Sequence, residues 1–396
     1  MNMSTMMTIV YKINLLIYKF SLAFMILTGT YLYAQSFQIN SVEYSAQNVN
    51  VGCSIVSTPD SNLFIAGYVQ NSIHNKDIYV LRLTKDLDTV WTKKIKCDYL
   101  NSDPTILYVR NNRLLVLGNY GCEGLLLMID YDGKILWEKK IEYKKKCVSI
   151  LSGILLKDKG FVLVGATYAS NENRKAFITL TDTVGVPIWA KEFDLGENSN
   201  AKAISFSNSD KNSVIVGCNN SSDSFLLNVA LNNGNLNWQK HIENNWIIKS
   251  MCVTPENNFL LVGDAEGSSQ PDRASWNEGI IYKVGAMGDI LWSKKNNFGS
   301  ENSFCSIKNL KNNSSIIGGY KWNDMGIYNF TLTIYYNLCD STESYTYSDS
   351  LFSIAKDVVN IEDEYYMTGS TFKYQVSNDE QRTKLYVVRF KLLSDN

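Results

Sequence analysis

One short pattern, YDGKILWEKKI at residues 131–141, returns as DLDTVWTKKI, VGVPIWAKEF, NGNLNWQKHI and MGDILWSKKN. Its tryptophans are Trp91, Trp137, Trp189, Trp238 and Trp292, and Tyr345 continues the series. Their spacing is about fifty residues, so the repeat constrains the fold before any count of domains does. The motif closes a longer unit. Residues 55–95 contain four apolar runs (IVS, NLFIAGYV, DIYVLRL and TVWTKKI) separated by turn residues such as Asp60-Ser61-Asn62 and Lys85-Asp86-Leu87-Asp88. Each run is short and rich in β-branched or aromatic residues, and reads as a strand.

Seven such units align on a glycine closing the second run: Gly67, Gly118, Gly165, Gly217, Gly263, Gly318 and Gly369. No unit contains an amphipathic run of helical length, which excludes helical solenoids. A lone four-stranded sheet leaves both faces wet, whereas radial stacking buries them against neighbours. The expectation is an all-β, seven-bladed β-propeller of four-stranded antiparallel blades. The seventh unit ends without a fourth strand, and SFQINSVEYS at 36–45 precedes the first complete unit. An N-terminal strand completing the last blade leaves no sheet edge open. Alternation puts Trp137 in the gap between blades, and the glycine marks a bulge or a close backbone approach.

Residues 1–35 read as a signal peptide, with Lys12 and Lys19 before the apolar FSLAFMILTGTYLYA and Ala34-Gln35-Ser36 for cleavage. The expectation is a secreted or periplasmic protein, residues 36–396 forming one propeller domain with no membrane span after cleavage. The formal charge is −1, and the lysines are scattered rather than pooled. That excludes a nucleic-acid partner. Of eight cysteines, Cys53, Cys147, Cys252 and Cys305 fall in first strands, where buried free thiols are the expected state. With only His74 and His241 and no CxxC, no metal site is expected.

The order of apolar strand, Gly, apolar strand, then Asp-Gly-x-Ile-x-Trp resembles the quinoprotein-like propeller repeat. It is still more similar to exported propeller proteins of the Bacteroidetes. The resemblance implies no inherited quinone chemistry, because the adjacent cysteine pair of those enzymes has no counterpart here, and no cofactor is expected.

Catalytic motifs are absent from the sequence: there is no GxSxG, P-loop or dinucleotide fingerprint. Propellers bind at loops on one face and at the channel. The longest inter-strand loop, 264–279, offers Asp272, Arg273, Trp276 and Glu278, and the next blade adds Trp322 and Asp324. Charged and aromatic side chains there suit a sugar ring or a partner side chain. The expected function is therefore a noncatalytic, monomeric propeller binding a protein or glycan partner. The alternative is a hydrolase or lyase with carboxylates at the channel mouth.

Overall fold

The computed structural model describes residues 37–392 except 45–48, 73–74, 98–99, 101, 158, 171, 208–209, 267–276, 297–299, 324, 349–351 and 373–382. The signal-peptide expectation for 1–35 lies outside the described residues. The chain divides into two compact units, Ile39–Phe390 and a small one comprising the two chain ends.

The larger unit is a seven-bladed β-propeller. Each of its seven sheets has four strands, and six are built from consecutive strands. Blade one, for example, runs Val49–Ser57, Leu63–Ser72, Asn75–Leu83 and Thr89–Ile95 from axis to rim. The seventh sheet combines Phe352–Ile361, Glu364–Phe372 and Lys384–Leu392 with the N-terminal strand Phe37–Tyr44 outermost. Chain start and chain end therefore share a blade, as expected. Glu43 pairs with Lys384, Ser41 Oγ lies 3.0 Å from Tyr347 OH of blade six, and Tyr44 OH donates to Leu87 O at 3.1 Å.

The middle two strands of each blade are almost wholly buried, as in GFVLVGATY and EGLLLMID, whereas the outer strands are mostly exposed or half-buried, as in ILWEKKI. Apolar clusters fill the spaces between successive sheets. Between blades three and four, for instance, Val162, Val164 and Ile178 meet Val214, Val216 and Leu227.

The repeated tryptophan sits where blade meets blade. Gly133, Gly185, Gly234 and Gly288 each occupy the turn before an outer strand, at φ of +76°, +82°, +70° and +86°. A β-carbon there would lie within 2.6–3.2 Å of Trp91, Trp137, Trp189 and Trp238 respectively. Each ring thus covers the turn of the following blade, and the glycine supplies both the left-handed conformation and the room. Trp91 and Trp189 also donate their indole N–H to Tyr131 O and Leu231 O of that blade, each at 2.8 Å. In blade three, where Val184-Gly185-Val186 replaces Asp-Gly, Asp182 Oδ1 accepts from both valine amides and keeps the turn.

The second-strand glycine has an equally specific cause. A β-carbon on Gly67, Gly165, Gly263, Gly319 or Gly369 would come within 1.8–2.1 Å of a carbonyl oxygen of the innermost strand. Two positions in the expected series are off by one. In blade six Gly319, not Gly318, makes the close approach, and in blade four Cys218 pairs where the glycine pairs elsewhere. Gly217 and Gly318 instead face the next blade, against Ile248 and Val358. Glu343, rather than Tyr345, holds the tryptophan's register in blade six: it lies across from Ile334, which pairs with Ile316 three residues before Gly319.

Cysteine usage departs from expectation at one place. Cys147 is not a free thiol: it is disulfide-bonded to Cys122, joining blade two to blade three. Cys53, Cys218 and Cys252 are free and buried, and Cys305 is free and half-buried.

Candidate functional site

Six of the seven innermost strands break register at the same point. The shifts fall between Gly52 and Ser54, Ile150 and Ser152, Ala201 and Ala203, Ile248 and Ser250, Phe304 and Ser306, and Ala355 and Asp357. The skipped residue in each pair is a bulge, which re-aims its side chain. In blade two the inner strand begins at Thr105, directly after Asp103-Pro104. The residues that result, Cys53, Asp103, Leu151, Lys202, Lys249, Cys305 and Lys356, line one axial cavity of about 620 Å³. That volume is typical of a small-molecule site.

The residues after the bulges hold the ring together. Asp357 accepts from Ser54 Oγ at 3.0 Å, Ile55 N at 3.0 Å, Ser306 Oγ at 2.5 Å and Val358 N at 2.9 Å, with Lys308 3.8 Å away. One carboxylate thus ties blades one, six and seven at the axis. Thr105 Oγ1 donates to Leu151 O at 3.0 Å, and Ser250 Oγ accepts from Ile307 N at 3.2 Å.

The cavity wall is positively charged. Arg174, Lys202, Lys249, Lys308 and Lys356 line it, against Asp103 and Asp357 among the described residues. Lys356 Nζ donates to Asp103 Oδ2 at 3.2 Å; burial lowers the Lys356 pKa, but the charges of Asp103, Cys53 and Cys305 raise it further. Lys249 pairs with Asp264 and donates to Ser303 Oγ at 2.8 Å. Its pKa is raised too, burial being outweighed by Cys305 and Asp264. Lys202 differs: it has no ion pair or hydrogen bond among the described residues. Burial, then the charges of Lys249 and Lys356, push its pKa below the ordinary lysine value. The surface that Lys202 exposes faces the cavity rather than the outside of the protein, which reconciles its accessibility with its desolvation. The thiol of Cys53 is pushed well up, by burial first and by Asp103 second.

The residues expected from sequence to form the site are only partly placed. Asp272, Arg273, Trp276 and Asp324 lie outside the described residues. Glu278 is half-buried near the start of a third strand and pairs with Lys295 at 3.4 Å. Trp322 ends the second strand of blade six and packs edge-on against Tyr328, with ring centroids 4.7 Å apart, and against Phe352 at 6.3 Å. Neither lines the cavity. Both sit at the end where inner strands begin: Lys321, beside Trp322, pairs with Asn302, the first residue of its inner strand. Among the described residues the cavity is lined by two carboxylates, Asp103 and Asp357, each engaged as described.

No protein-family model matches the chain, and no curated protein matches it in sequence. Solved structures do resemble it. The Dos1 propeller aligns at TM-score 0.52 and 10% identity, over 88% of this chain and 93% of that one. Sqt1 from Chaetomium thermophilum aligns at 0.52 and 11% identity, over 91% and 100%. An apocarotenoid oxygenase variant from Synechocystis aligns at 0.51 and 9% identity, over 85% and 88%. The likeness is one of fold. At such identities it carries no activity.

Proposed function

We propose that this chain is an exported, noncatalytic binding propeller that holds a small ligand, or the tip of a protein or glycan partner, in its axial cavity. The observation carrying this reading is the cavity itself: about 620 Å³, lined from all seven blades, with its carboxylates already committed to protein partners. Trp322 and Glu278, at the same end of the blades, extend the contact surface for a larger partner. Export is supported by the signal-like 1–35 segment and by the Cys122–Cys147 disulfide, which an oxidising compartment permits. Kinship with quinoprotein-like repeats and with exported Bacteroidetes propellers is supported by the Asp-Gly-x-Ile-x-Trp pattern alone.

The test is ligand-induced thermal stabilisation across a panel of mono- and oligosaccharides and acidic and basic peptides. Stabilisation that disappears when the cavity is filled by Ser152→Trp supports the reading. Stabilisation that survives the filled cavity places the binding surface elsewhere.

A further inference from the structure

The cavity wall also specifies what it would hold. We propose that the axial cavity takes its ligand through an oxyanion, a carboxylate or phosphate, gripped by Lys202 with Lys249 and Lys356 flanking it. This inference rests on the binding role proposed above and adds the ligand's chemical class.

The three lysines occupy equivalent bulges on blades four, five and seven, and all line the one cavity. An ammonium has three N–H donors and no acceptor. Lys356 spends one donor on Asp103, and Lys249 spends two on Asp264 and Ser303. Lys202 spends none on the described residues. Two donors on Lys356, one on Lys249 and three on Lys202 therefore remain for whatever fills the cavity. The neighbouring hydroxyls do not neutralise this charge, since they carry none themselves; Ser54 and Ser306 donate to Asp357. An ammonium that is desolvated and repelled by two others costs free energy that Cys305 and Asp103 offset only in part, and an entering anion offsets more of it. The wall is also selective in sign. Its other charged members are Arg174 and Lys308, and its two carboxylates are spoken for.

Protonation gives the site a pH signature. Lys249 and Lys356 disfavour the charged form of Lys202, while Cys305 and Asp103 favour it. Lys308, Arg174, Asp357, Cys53, Tyr168 and Tyr320 complete the titratable and charged lining. An oxyanion beside Lys202 adds a favouring charge, so binding from alkaline solution draws a proton onto the protein.

The experiment is titration calorimetry of the intact chain with glucuronate, glucose and inorganic phosphate, near neutrality and in alkaline buffers of differing ionisation enthalpy. Glucuronate and glucose share a ring and differ by one carboxylate, and the phosphate arm separates the two oxyanion sources. Expected are binding of glucuronate or phosphate in preference to glucose, proton uptake at alkaline pH, and weakening of about tenfold or more in Lys202→Met, with Lys202→Arg retaining affinity. If glucose binds as well as glucuronate and Ser152→Trp blocks both, the cavity reading stands and the oxyanion inference is overturned. Unchanged affinity in Lys202→Met overturns it as well. If neither anion binds, it fails outright.

Discussion

Removal of the Asp357 carboxylate is the sharpest test of how the ring is held at its axis. This side chain is buried and accepts four hydrogen bonds, from Ser54, Ile55, Ser306 and Val358, across blades one, six and seven. Asp357→Ala leaves four donors without an acceptor and Lys308 without its nearest carboxylate. A charge-assisted hydrogen bond contributes about 1.5–3 kcal/mol, but the four act as one unit and do not add. Breaking a buried charged network of this kind costs about 3–5 kcal/mol. Asp357→Asn keeps one acceptor oxygen at nearly the same volume, so a loss of about 1–3 kcal/mol is expected there. Urea unfolding of the three proteins measures both, provided the slopes match. The midpoint should fall in the order wild type, Asn, Ala. An Ala variant within about 0.5 kcal/mol of wild type, the range of an ordinary surface change, would refute the reasoning.

Three further outcomes are expected of the same structure. Gly165→Ala places a β-carbon about 1.8 Å from Ser149 O, backbone against backbone, so it should destabilise by at least about 3 kcal/mol or prevent folding; near-neutrality in denaturation would contradict the close approach. Trp189→Phe removes the indole N–H that reaches Leu231 O and should cost about 1 kcal/mol in the same assay, with no loss showing that the bond is not formed. Without ligand, Lys202→Met should leave stability unchanged or raise it. The folded-state pKa of Lys202 lies below its ordinary value, so its penalty is full below the folded pKa and is released as pH rises towards the unfolded one. Melting temperatures of the two proteins should therefore converge in that alkaline window, and a destabilised variant would contradict the assignment.

The architecture was largely legible in the sequence because its signals are local. Strand length, turn residues and the fifty-residue period all survive in a single chain, and the orphan strand at 36–45 pointed to the shared seventh blade. The offsets in blades four and six were hidden because GlyCys at 217–218 and GlyGly at 318–319 each offer two small residues. Only register shows which one meets the inner strand. The cavity was harder to read. Its lysines stand alone in AKAIS, IIKSM and IAKDV, apolar stretches where a charge is out of place. A bulge adds one residue without a mark in the composition and reverses the parity of everything after it. A legible signal was nevertheless present: Ser54, Ser152, Ser250, Ser306 and Asp357 directly follow the bulge, and Thr105 holds the same register in blade two. The segment 264–279 stands out by its aromatic and charged composition, whereas the bulged residues that line the cavity belong to the innermost strands.

Anomalous diffraction from crystals soaked in selenate measures most directly where an oxyanion goes. A selenium peak inside the axial cavity, within hydrogen-bonding distance of Lys202 Nζ, is the predicted result. Peaks confined to the outer surface, with the cavity holding only water, would contradict it.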